Sequence, residues 1–86
     1  MEIELTLVAA EDWKYFKKSG NQAILKKIRF LLESIQETPF SGLGKPEALK
    51  YDQIGNWSRR INQEHRLIYE VKGNCIIVHS LKGHYL

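Results

Sequence analysis

Residues 2–8, Glu-Ile-Glu-Leu-Thr-Leu-Val, alternate polar and apolar and place Ile3, Leu5 and Leu7 on one face, the two-residue period of a half-buried strand. From Ala9 to Lys18 the period changes: Ala9, Trp13 and Phe16 fall at three- and four-residue spacings, as on a short helix. Ser19-Gly20-Asn21 breaks it, and Asn21 suits the N-cap of the next helix. Over residues 22–37 Ile24, Ile28, Leu31 and Ile35 form one stripe, widened by Leu25 and Leu32, while Lys26, Lys27, Arg29 and Glu33 lie off it. Pro39 stands just past the end of that helix. Residues 38–47, with both prolines and two glycines, read as a loop.

The second half changes to strand periods. Residues 57–62 and 66–71 are separated by a polar turn at Gln63 and Glu64, and 75–81 follows a tight turn at Lys72-Gly73-Asn74. A short strand over 48–51 extends the edge. The order strand, helix, helix, then meander predicts one α+β domain over residues 1–86, its two N-terminal helices packed on one face of an antiparallel sheet. In strand 66–71, Leu67, Tyr69 and Val71 are assigned to the core. Arg66, Ile68 and Glu70 then share the open face, within reach of Glu47 and of the C-terminal His84.

Charge sharpens this picture. The 86 residues carry 13 Lys and Arg against 10 Asp and Glu, a formal net charge of +3, and the imbalance is local. Residues 2–12 hold Glu2, Glu4, Glu11 and Asp12 with no base, whereas Lys45–Lys82 holds seven bases against four acids, with Arg59, Arg60 and Arg66 grouped. A positive field that belongs mainly to the second half suits a polyanionic partner there. Cys75 is the single cysteine, which excludes an internal disulfide. With no signal peptide at Met-Glu-Ile-Glu and no apolar run long enough for a bilayer, a cytoplasmic protein without membrane contact is expected. Cys75, His79 and His84 lack paired ligand spacing, so neither a metal nor another cofactor is expected. His65 reads as structural, and His79 as a hydrogen-bonded core or interface histidine.

Three stretches stand out together: Gly-Lys-Pro-Glu-Ala-Leu-Lys at 44–50, Trp-Ser-Arg-Arg-Ile-Asn-Gln-Glu-His-Arg-Leu-Ile-Tyr at 57–69, and Gly-His-Tyr at 83–85. With Thr38-Pro39-Phe40 and Gly42, they resemble the YoeB (Txe) toxins of bacterial toxin–antitoxin modules, within the RelE superfamily. The resemblance implies a RelE/microbial-RNase-like fold and cleavage of messenger RNA in the ribosomal A site, against the 16S RNA of the 30S subunit. It also implies neutralisation by a cognate antitoxin, and a homodimer. Carried onto this sequence, the general base falls on Glu47, the phosphate-stabilising arginine on Arg66, the general acid on His84 and the substrate-holding tyrosine on Tyr85. The chain departs from the family in adding Leu86 after that tyrosine.

The chemistry stands apart from the name. Cutting RNA with its own 2′-hydroxyl as nucleophile needs a base for that proton, an acid for the leaving 5′-oxygen and a cation for charge gathering on phosphorus. Glu47, His84 and Arg66 supply one each, the guanidinium offering two parallel donors. Lys45, Lys50, Trp57, Arg59 and Arg60 are candidates for RNA contacts. Arg59 and Arg60 alternate, so at most one shares the open face with Arg66, and Trp57 either packs or lines the groove. The rivals are a non-catalytic ParE-like toxin acting on gyrase and an RNA-binding module without chemistry. Neither needs the pair Glu47 and His84.

Overall fold

In the computed structural model, which describes residues 1–83, two helices cover one face of a five-stranded sheet. The strands are β1 (Glu2–Leu5), β2 (Glu47–Ala48), β3 (Trp57–Arg60), β4 (Arg66–Lys72) and β5 (Cys75–Ser80), in the spatial order β1-β5-β4-β3-β2. The helices are α1 (Leu7–Ser19) and α2 (Gln22–Glu37).

The first strand is shorter than its alternation suggests. Thr6 Oγ1 accepts from the Ala9 amide at 3.2 Å and donates to the His79 carbonyl at 2.9 Å, so it caps α1 and ties its start to β5. Leu7 therefore opens a helix rather than continuing a strand, and stands 77% exposed. Asn21 caps α2 as its position suggests, accepting from the Ile24 amide at 3.2 Å. The α2 stripe of Ile24, Leu25, Ile28, Leu31 and Ile35 is buried to the last residue, against Leu67, Tyr69, Ile76 and Val78 of the sheet. Each fully buried side chain of this size contributes about 1.5–3 kcal/mol.

The sheet is mixed, not wholly antiparallel. β2, β3, β4 and β5 form the expected meander, but β1 lies parallel to β5, Glu2 beside Cys75 and Leu5 beside Val78. No tight turn joins β1 to β5, so hairpin geometry does not dictate their direction. The short edge segment also differs: pairing stops at Ala48, and Tyr51–Gln53 turns into a 3₁₀ helix instead of extending the strand.

Register decides which residues share a face, because partners across a ladder point the same way. Trp57 pairs with Tyr69 and Arg59 with Leu67 on the helix-covered side. On the other side Glu47 pairs with Ser58, Ser58 with Ile68, and Arg60 with Arg66. Ser58 and Ile68 are buried even there, so this face is a filled surface with charged groups around its edges.

Candidate active site

Glu47, Ser58, Ile68, Arg60 and Arg66 form a contiguous cluster on the face away from the helices, at the β2 end of the sheet. Glu47 and Arg66 are separated by two strand spacings, roughly 10 Å, and by two residues along the strand, roughly 7 Å. Both are long side chains carried on the same face of the sheet. Glu47 and Arg60 are exposed and Arg66 is partly buried. At the centre Ser58 is fully buried, and among the described residues its hydroxyl has no hydrogen-bond partner, a polar group of the kind that folded proteins rarely leave over.

A cleft of about 510 Å³ opens beside Glu47, lined by Lys50, Tyr51 and Asp52 among others. Tyr51 is 87% exposed and holds a left-handed φ of 59°, a conformation bulky residues seldom adopt. The alternation of the sequence gives no hint of this turn, since a two-residue strand is too brief to show a period.

The segment leading to the C-terminus is fastened to the same cluster. Asp12 of α1 accepts from the Leu81 and Lys82 amides at 2.9 and 3.2 Å. Gly83 donates to His65 Nδ1 at 2.9 Å, and its carbonyl accepts from the Arg66 amide at 2.9 Å. His65 is structural, as its sequence position suggests, packing edge-on against Phe16 with ring centres 5.1 Å apart. Neither the part played by Asp12 nor the bond from Gly83 to His65 is legible in the sequence, because the contacts join residues 18 to 70 positions apart. His84 and Tyr85, and the added Leu86, lie outside the described residues.

Two of the expected RNA contacts are corrected. Arg59 is completely buried on the helix-covered side, with its guanidinium committed to protein acceptors, so it is not available to a phosphate. The strand parity that separates it from Arg60 leaves Arg60 as the arginine beside Arg66. Trp57 shares the Arg59 side and packs on Phe40, ring centres 4.9 Å apart, off the face that carries Glu47. Lys45 and Lys50 are exposed. His79 sits at the other end of the open face with Nε2 2.8 Å from Glu70 Oε1, hydrogen-bonded as expected but partly exposed rather than in the core. Among the described residues no three His, Cys, Asp or Glu side chains converge as a metal site requires, and no helix is long and apolar enough to cross a membrane.

A family profile described as YoeB-like toxin of bacterial type II toxin–antitoxin systems matches residues 5–85. The YoeB toxin of Synechocystis is 40% identical over 85 residues, spanning 99% of this chain and 98% of that protein. That of Escherichia coli K12 is 41% identical over 75 residues, 87% and 88% of the two. Among solved structures, a YoeB/ParE toxin from Agrobacterium tumefaciens superposes with a TM-score of 0.95 at 39% identity, covering 99% of this chain and 100% of the other. YoeB in a heterotetrameric YoeB–YefM toxin–antitoxin complex from Staphylococcus aureus does so with 0.90 at 45%, covering 99% and 98%. With a matching profile, full-length relatives near 40% identity and a shared architecture, the chain belongs to the YoeB-like toxins of bacterial type II toxin–antitoxin systems.

Proposed function

We propose that this toxin is a ribosome-dependent endoribonuclease that cuts messenger RNA in the A site by metal-independent acid–base chemistry. The observation that carries the reading is the ladder pairing that sets Glu47 on the same face as Arg60 and Arg66, with Gly83 clamped to the Arg66 backbone. A carboxylate facing guanidinium groups across one phosphodiester is the arrangement needed to take a proton from the 2′-hydroxyl while stabilising charge on phosphorus.

Glu47 removes the 2′-hydroxyl proton, and the 2′-oxygen attacks the adjacent phosphorus. Arg66 donates to the non-bridging oxygens as they gain charge, with Arg60 beside it. The 5′-oxygen leaves with a proton from His84, and Tyr85 holds the substrate. The products are a 2′,3′-cyclic phosphate, or the 3′-phosphate formed on its hydrolysis, and a 5′-hydroxyl. DNA has no 2′-hydroxyl and is inert. Lys45 and Lys50 contact the RNA backbone. The ribosome supplies the rest of the substrate's positioning through 16S RNA on the 30S subunit. A cognate antitoxin and self-association into a homodimer are part of the same reading, supported by the solved complex of an S. aureus YoeB with YefM and by a YoeB dimer from that organism.

The test is brief induction of the toxin in cells, with mapping of messenger RNA 5′ ends. Cuts clustered at A-site positions, with 5′-hydroxyl termini, are expected. Intact messages with stalled replication would place the protein among gyrase poisons instead.

A further inference from the structure

Arg59 is the largest fully buried side chain of the described residues, and its charge meets no carboxylate among them. A buried cation costs several kcal/mol unless its donors are matched. Here all five are. Nε donates to Tyr69 Oη at 3.1 Å; one terminal nitrogen donates to Ser34 Oγ and the Leu43 carbonyl at 2.8 and 2.9 Å; the other donates to the Thr38 and Ser41 carbonyls, each at 2.7 Å. Tyr69 Oη in turn donates to the Pro39 carbonyl at 2.6 Å. The loop carbonyls at residues 38, 39, 41 and 43 are thus held by two side chains, one from β3 and one from β4.

The loop is also pressed down onto this pair. Gly42 and Gly44 have φ of 102° and 85°, and a Cβ on Gly44 would lie 2.6 Å from Leu31 Cδ2 and 3.2 Å from Arg59 Cβ. A Cβ on Gly42 would meet Ser34 Oγ at 2.7 Å. Glycine is required at both points for the chain to wrap the guanidinium this closely. The Gly44 carbonyl then accepts from the Arg60 amide at 2.7 Å, and three residues later the chain reaches Glu47.

Glu47 belongs to an edge strand of only two residues, paired to β3 at Ser58 and Trp57, so the loop that leads into it helps to set where it sits. We infer that Arg59 and Tyr69 are positioning residues, a buried latch that fixes loop 38–46 and through it the placement of Glu47 opposite Arg66. The inference rests on the proposed role of Glu47 as base. Its test therefore includes a readout that does not involve cleavage.

Arg59→Lys keeps the charge but offers at most three donors, and its folding is at risk. Tyr69→Phe is the decisive variant, because it removes one hydroxyl and leaves the ring in the core. In a Trp13→Phe background Trp57 is the remaining tryptophan, and it lies against Phe40 of the loop. Tyr69→Phe is expected to unfold cooperatively like the parent yet expose Trp57 to acrylamide quenching. It should lower kcat about tenfold on ribosome-bound message with KM within about twofold, since small misplacements of a reacting group act on the chemical step. Added to Glu47→Gln it should cost nothing further in kcat, because on the chemical step the latch acts through that carboxylate. Unchanged quenching and kcat, or losses that multiply with Glu47→Gln, overturn the latch. A parent-like rate in Glu47→Gln alone overturns the proposed base instead, and the quenching experiment still decides whether the loop is held.

Discussion

The sheet face turned away from the helices has two ends of opposite character. At the β2–β3–β4 end Glu47 sits with Arg60 and Arg66, and Lys50 flanks the adjoining cleft. At the β1–β5 end the same ladder brings together Glu2, Glu4 and Cys75, with Glu70 bonded to His79 one strand inward. The acids Glu2 and Glu4 thus land at the edge farthest from Glu47. Under the proposed function this asymmetry favours entry of the RNA at the Arg60–Arg66 end, with Glu2 and Glu4 placed away from it. The parallel docking of β1 achieves this: it carries Glu2 and Glu4 to the outer edge, beyond β5.

The contrast between the two ends is tested most severely at Glu47, on the cationic one, and the proposed acid is tested in parallel. Glu47→Gln and His84→Gln should each lower the single-turnover rate about 10²–10⁴-fold, because neither amide exchanges a proton at the required step. For His84→Gln the loss should shrink on a substrate with a 5′-bridging sulfur, a leaving group that needs no proton. Equal impairment on both substrates would mean that His84 binds RNA rather than protonating it. Glu4→Gln at the acidic end should leave the rate within about twofold.

Next in size are the cations. Arg66→Ala should cost about 10²–10³-fold in kcat with little change in KM, as expected for charge stabilised mainly in the transition state. Lys50→Ala should instead weaken binding and reduce the salt dependence of affinity by about one unit of slope for one lost phosphate contact. Indistinguishable, purely affinity-based effects would remove the division between chemistry and steering.

The smallest effect lies at the acidic end. Partial burial pushes the Cys75 thiol up from its ordinary value of 9.0, and Glu4, whose Oε2 accepts a hydrogen bond from Sγ at 3.3 Å, adds to the shift together with Glu2. Less thiolate at a given pH means slower alkylation, so iodoacetamide at pH 8 should react more slowly than with a free cysteine. Glu4→Gln removes a charge and a hydrogen bond that favour the thiol, and should speed that reaction by a few-fold. Alkylation no faster in Glu4→Gln than in the parent would show that the carboxylate has no hold on the thiol.

Much of the fold is legible in the sequence because its signals are local. The α2 stripe is dense and its Asn21 cap lies immediately before it, so both can be read to the residue. β4 and β5 are bounded within one residue by the turn at Gly73 and Asn74. Thr6 is misleading, because alternation through Leu7 fits a strand as well as a capped helix, and only the His79 carbonyl decides between them. The site is partly legible. Glu47 and Arg66 are recognisable by motif and fall on one face, whereas Arg59 and Arg60 are adjacent and chemically identical, so no local property tells them apart.

The sequence alone determined the two helices, the meander, the family and the segregation of charge, since each depends on spacing or composition over a few neighbouring residues. Tertiary structure decided what sequence distance conceals: the parallel docking of β1, the pinning of Gly83 to His65 and Arg66, and the fates of the two arginines. Arg59 is buried because a loop 16 to 21 residues earlier turns the carbonyls of Thr38, Ser41 and Leu43 toward it, while Ser34 of α2 and Tyr69 of β4 take its other donors. Arg60, one step along the same strand, faces away and keeps its charge exposed. A guanidinium takes whichever environment matches its five donors, and that match exists only once the chain has folded back on itself.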